Sequence, residues 1–100
     1  MGQFKEIEIT NGRYSISNNG NVRNNKTLNI LKGSKNSSGY LQVSFFIDGK
    51  YVKKYIHRLV CEYFIRKSEK DVNHINHNKE DNKLENLEYV TKKENSIKQH

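Results

Sequence analysis

The sequence predicts an α+β fold: antiparallel β-hairpins, one packed helix, and then a strand, a long polar loop, a second strand and a helix at the C-terminal end. Three observations predict it. Asn- and Gly-containing turns punctuate short β-rich segments over the first half of the chain. From Ile56 the apolar residues switch to helical spacing. After Asp71 two short apolar runs bracket a stretch that is almost wholly polar.

The elements follow in order. Phe4 to Ile9 alternates apolar and polar residues, although Phe4, Ile7 and Ile9 do not keep strict register. Tyr14 to Ser17 and Asn21 to Arg23 flank Asn18-Asn19-Gly20, a tripeptide that suits a three-residue hairpin loop because Asn and Gly tolerate positive φ. That loop length sets Ile16 opposite Val22. From Asn24 to Ser38 the chain is rich in Asn, Lys, Ser and Gly, and reads as a loop around one short strand anchored by Leu28, Ile30 and Leu31. Tyr40 to Ile47 and Tyr51 to Ile56 form a hairpin through Asp48-Gly49, a type I′ signal. Phe45 then faces Val52 and Leu41 faces Ile56, which makes one apolar face. The other face carries Gln42, Ser44, Lys53 and Tyr55, with Phe46 and Tyr51 at the tip.

Ile56, Leu59, Val60, Tyr63 and Phe64 recur at i, i+3, i+4, i+7 and i+8, so an amphipathic helix should close over that hairpin and end near Lys67. Val72 to Ile75 suits a short strand, Asn76 to Glu85 a polar loop, and Asn86 to Val90 a second strand. Thr91-Lys92-Lys93-Glu94 is a capping box that opens a last helix, with Asn95 in its first turn.

Composition bounds the function. Eighteen Lys and Arg against eleven Asp and Glu leave a formal charge of +7 on 100 residues. Such an excess favours a polyanionic partner, since each neutralised phosphate releases counterions. A solvated basic surface is the plainer alternative. The single Cys61 excludes an internal disulfide framework and a cysteine-rich zinc cluster. No apolar run approaches the roughly 18 residues that span a bilayer, and no signal-peptide core opens the chain. No membrane association is expected, and a cytoplasmic, reducing compartment fits best.

The fragments HRLVCEYFI, VNHINHNKEDNKLENLEYVT and KEN, in this order, resemble the HNH endonucleases of phage and intron homing systems. The upstream FKEIEITNGRYSISNNGNVRN resembles the nuclease-associated module that often precedes that domain. The resemblance implies residues 1–35 as a β-rich module and residues 36–100 as the HNH domain, joined in one compact unit. It implies that the last elements are a ββα-metal (His-Me finger) motif. It also implies hydrolysis of double-stranded DNA with Mg²⁺ or Mn²⁺, leaving a 3′-hydroxyl and a 5′-phosphate.

Residue roles carry over by position. His74 matches the general base, because an imidazole can take a proton from water near neutral pH. Asn73 and Asn95 match the two protein ligands of one divalent ion, with hard amide oxygens. Asn73 stands where many members carry Asp or His, so weaker Mg²⁺ binding is expected. Asn86 matches the central Asn that ties the loop and holds the imidazole. Asn76-His77 replaces the usual Asp-Gly of that loop. Arg13, Arg23, Lys53, Lys54 and Arg58 are candidate phosphate contacts, with a salt bridge to Glu62 the alternative for Arg58. His57 is expected to pack or bond locally. One centre per chain favours nicking by a monomer, whereas a homodimer cuts both strands. Because the chain ends at His100 without a further DNA-binding segment, recognition of a long site is not expected.

Three other readings stay open. His57, Cys61, His74 and His77 form an alternative tetrahedral zinc set, at a spacing unlike a trusted finger pattern and at the cost of occupying the expected base. A DNA-binding module without catalysis would use the same charge and hairpins. A protein-interaction module would bind without regard to DNA.

Overall fold

The structure, a computed structural model, describes residues 2–94. Strand β1, Phe4–Glu6, pairs antiparallel with β2, Tyr14–Ser17, setting Lys5 opposite Ile16. The strand expected to reach Ile9 stops at Glu6, because a 3-10 turn takes up Glu8–Thr10 and Asn11 adopts a left-handed φ of 55°. The Thr10 hydroxyl donates to the Ile7 carbonyl at 2.7 Å and locks that turn. The broken register of Phe4, Ile7 and Ile9 follows from it: Ile7 enters the core while Ile9 stays 40% exposed.

β2 turns through Asn18-Asn19-Gly20 into β3, Val22–Asn24, with Ile16 opposite Val22 as the loop length predicts. The lysine-rich middle holds two short strands rather than one. β4, Ile30–Leu31, completes a four-stranded sheet in the order β1-β2-β3-β4. β5, Ser34–Lys35, pairs instead with β6, Leu41–Ile47, which pairs with β7, Lys50–Tyr55. Asp48 and Gly49 both have positive φ, 50° and 79°, the type I′ geometry that matches the twist of the strands. The register pairs Phe45 with Val52 and Phe46 with Tyr51.

Helix α1, Ile56–Phe64, starts directly from β7 and buries Ile56, His57, Leu59, Val60 and Cys61. It ends three residues before the predicted Lys67. The Ile65 and Arg66 amides both donate to the Cys61 carbonyl, at 2.9 and 3.0 Å, which closes the last turn. Arg58 then draws the following segment back, donating to the Ser68 carbonyl at 2.6 Å and to the Lys70 carbonyl. Tyr89 donates to the Arg66 carbonyl at 2.7 Å. These are tertiary bonds, invisible to helical spacing.

β8, Asp71–His74, pairs antiparallel with β9, Leu87–Val90. β8 lies one residue earlier than the expected Val72 to Ile75, and β9 starts one residue later than the expected Asn86 and ends at Val90 as expected. Ile75 projects into solvent, and Asn86 belongs to a 3-10 turn, Leu84–Asn86, that precedes the strand. After β9 the capping box forms: Thr91 N–H donates to Glu94 Oε1 at 3.0 Å and Glu94 N–H to Thr91 Oγ1 at 3.2 Å. Asn95 lies outside the described residues.

One core joins these parts. Ile7, Ile16 and Val22 of the first sheet, Val43 and Phe45 of the second, Leu59 and Val60 of α1, and Val72 and Leu87 of the third form a single buried cluster. Every sheet therefore depends on α1 to cover its apolar face. Among the described residues, no helix is long and apolar enough to cross a membrane.

Candidate active site

The β8–β9 hairpin and its long loop bring the chemistry-bearing side chains together. His74, at the end of β8, is buried, and its Nε2 lies 2.8 Å from Asn82 Oδ1. An amide oxygen only accepts, so in this contact Nε2 is the donor. The ring packs beside Tyr40 and His57, with centroids 5.9 and 5.2 Å away. An imidazole held in place through one ring nitrogen is the kind of support a general base requires.

Asn86 is the knot of the loop. Its Nδ2 donates to the Asp81 carbonyl at 2.8 Å and to Asn76 Oδ1 at 3.0 Å, and its Oδ1 accepts the Asn76 amide at 2.9 Å. The loop-tying part of its expected role has a clear geometry. The imidazole itself is held by Asn82, which the sequence pattern included without assigning a role. His77, where the family's loop has glycine, takes a left-handed φ of 64° and donates its amide to the His74 carbonyl.

The loop is also held from outside. Lys35 and Glu80 form an ion pair at 3.2 Å, and Lys79 Nζ donates to the Ser38 carbonyl at 2.9 Å. Both ties anchor it to the second sheet. On its other side the Leu84 amide donates to the Asn18 carbonyl at 2.8 Å, a tie to the first sheet.

Asn73 stands opposite Glu88 in the strand register, and its Nδ2 donates to Glu88 Oε2 at 2.8 Å. That bond decides which way the amide faces. Among the described residues no donor occupies Asn73 Oδ1, which leaves a hard, neutral oxygen suited to a divalent cation such as Mg²⁺. Glu88 is thus a positioning residue that sequence reasoning missed. The signal was present, since counting back from Val90 to Asp71 pairs the two positions, but it required the register of a hairpin whose loop length is irregular.

The zinc alternative fails. Among the described residues no three His, Cys, Asp or Glu side chains are grouped to hold a metal. Cys61 is fully buried, and burial pushes its thiol up to about 11. His57 is buried as well; desolvation, with the nearby His74 and Arg58 adding to it, holds its imidazole down to about 3. Its Nδ1 has no hydrogen-bond partner among the described residues.

The candidate phosphate contacts divide. Lys53 and Lys54 are exposed on β7. Arg13 donates to the Thr10 and Phe46 carbonyls, and Arg23 stacks 4.0 Å from the centroid of the Phe4 ring. Arg58 uses both terminal nitrogens on the Ser68 and Lys70 carbonyls and forms no salt bridge with Glu62 among the described residues.

Residues 54–97 match the family described as HNH endonuclease, and residues 3–46 match the NUMOD4 motif. An uncharacterized HNH endonuclease, L247, of Acanthamoeba polyphaga mimivirus is 44% identical over 92% of this chain and 24% of its own length. The DNA endonuclease I-HmuI of Bacillus phage SP01 is 35% identical over 93% of this chain and 55% of its own length. A solved structure of I-HmuI, described as DNA binding and cleavage by an HNH homing endonuclease, superposes with a TM-score of 0.87 at 33% identity. It covers 97% of this chain and 57% of that one. The chain spans about half the length of I-HmuI and about a quarter of L247.

Proposed function

This chain belongs to the HNH endonuclease family, its HNH domain preceded by a NUMOD4 motif, and from that membership we propose that it hydrolyses phosphodiester bonds of double-stranded DNA. The observation that carries the proposal is the placement of His74, buried with Nε2 held by Asn82, one residue from Asn73, whose amide nitrogen is taken by Glu88. His74 Nδ1 takes a proton from water as the water oxygen attacks phosphorus. The P–O3′ bond breaks and the departing oxygen takes a proton from solvent water, leaving a 3′-hydroxyl and a 5′-phosphate. Asn82 holds the imidazole through the transfer, and Asn86 keeps the loop that carries Asn82 in shape.

Asn73 and Asn95 would hold Mg²⁺ or Mn²⁺. When bound, the ion supplies positive charge beside the scissile phosphate and the leaving oxygen. Glu88 takes the Asn73 amide nitrogen, which would leave the oxygen for the ion. Lys53 and Lys54 serve as phosphate contacts, whereas Arg13 and Arg58 are engaged on backbone carbonyls and Arg23 on the Phe4 ring. The segments 1–35 and 36–100 act as one compact unit, in the cytoplasm where the DNA is reached.

Cleavage of supercoiled plasmid tests this, using wild type and His74→Ala with Mg²⁺, Mn²⁺ and EDTA in parallel. Nicked or linear product from wild type alone, abolished by EDTA, is the expected result. The ratio of the two products then separates nicking by a monomer from double-strand cutting by a dimer. Binding without cleavage under every metal condition would replace the proposal with a binding module on a nuclease scaffold.

A further inference from the structure

The Asn18-Asn19-Gly20 turn belongs to the N-terminal sheet, yet it presses on the loop that carries Asn82. Gly20 has φ +83°, and a Cβ built there would meet the Asn82 backbone oxygen at 2.8 Å, its Cβ at 2.9 Å and its carbonyl carbon at 3.0 Å. The atoms it meets include backbone, so no side-chain rotation relieves the contact. Two residues on, the Leu84 amide donates to the Asn18 carbonyl at 2.8 Å.

The turn itself is braced. Gly20 N–H donates to the Ser17 carbonyl at 3.0 Å, and Ser17 Oγ accepts the Asn21 amide at 3.0 Å. Asn18 Oδ1 accepts the Gln3 amide at 2.9 Å, while Asn18 N–H donates back to the Gln3 carbonyl at 3.2 Å. A rigid turn thus abuts the backbone of the residue whose side chain holds the His74 imidazole. Displacing the Asn82 backbone displaces Oδ1, and with it the partner of His74 Nε2.

We infer that Gly20 is a positioning residue for His74, acting through Asn82, so that the hairpin turn of the N-terminal motif is part of the support of the catalytic base. The inference rests on the reading of His74 as the base, and it gives the N-terminal motif a role in catalysis separate from any contact with DNA. Absence of a side chain at residue 20 is what allows the close approach.

The test uses ¹⁵N-labelled full chain without metal or DNA, with the His74 imidazole signals assigned against His74→Gln. Gly20→Ala adds the obstructing Cβ. Gly20→Asn adds the same Cβ on a residue that tolerates positive φ, which preserves folding. Gly49→Ala is the control, since it has φ +79° with nothing within 4 Å of its Cβ. Both Gly20 variants are expected to shift the His74 imidazole signals from their wild-type positions, as the contact from Nε2 to Asn82 loosens. They are expected to lower kcat for plasmid nicking by about 10- to 100-fold, with KM for DNA unchanged. Gly49→Ala leaves both as in wild type.

Folded Gly20 variants with a wild-type imidazole spectrum would overturn the inference. So would unfolding of both, which would show that the turn serves the fold as a whole. If wild type cuts no DNA with any metal, the proposed activity fails. The imidazole spectra then still decide whether Gly20 sets the state of His74.

Discussion

At the residue scale the site depends on two side chains whose function is to turn others. Asn73 presents its oxygen because Glu88 takes its amide nitrogen. Removing that carboxylate's charge in Glu88→Gln lets the amide rotate or pair differently. The expected effect is an increase of about tenfold in the Mg²⁺ concentration for half-maximal cleavage, with DNA affinity unchanged, read from a metal titration of plasmid nicking. His57 gives a second prediction. Folded, its imidazole stays neutral down to about 3, whereas the unfolded chain protonates it near 6.5. Between those values the unfolded state binds the extra proton, so this group's stabilisation is complete above about 6.5 and declines as the pH falls toward 3. The slope approaches about 1.4 kcal/mol per pH unit. Urea denaturation from pH 7 to pH 4 should show it, and His57→Phe should flatten it. The placement of His74 and Asn73 side by side on β8 was legible in the sequence because their motif is contiguous along the chain. Asn82 and Glu88 were not assigned these roles. One acts from inside an irregular loop and the other only through strand register, and no periodicity reports either.

At the element scale, turns whose chemistry is local were read correctly and ends set by distant bonds were not. Asp48-Gly49 and Asn18-Asn19-Gly20 determine their hairpins by φ alone, and the partners Phe45 with Val52 and Ile16 with Val22 followed. The helix end was misplaced because it depends on Arg58 and Tyr89 reaching carbonyls of the next segment. The division of the lysine-rich middle into two strands depends on which sheet each half joins, another tertiary decision. Arg58→Met removes two charge-assisted bonds that hold the connection from α1 to β8. It is expected to lower stability by about 2 kcal/mol in equilibrium unfolding, and to leave the salt dependence of DNA binding unchanged. Lys53→Gln should behave in the opposite way, keeping stability and flattening the slope of log K against log salt by about one unit. A measured change in slope for Arg58→Met would restore it as a phosphate contact.

At the scale of the whole molecule, the radius of gyration of 13.5 Å is close to the roughly 13 Å of a single compact domain of 100 residues. Thermal unfolding followed at once by tyrosine fluorescence, far-ultraviolet dichroism and the His74 imidazole signal should therefore give one coincident transition. Separate midpoints for the imidazole and the backbone would contradict a shared core. That core has a consequence for inheritance. Ile16 and Val22 from one recognisable motif are interleaved with Val60, Val72 and Leu87 from the other, although the two are separable along the gene. Recombination between such genes can exchange what lies beyond this pair, but a crossover between the two motifs joins half-cores shaped for different partners. The pair should travel through genomes as one heritable cassette, with its two names marking a seam in the text and none in the folded chain.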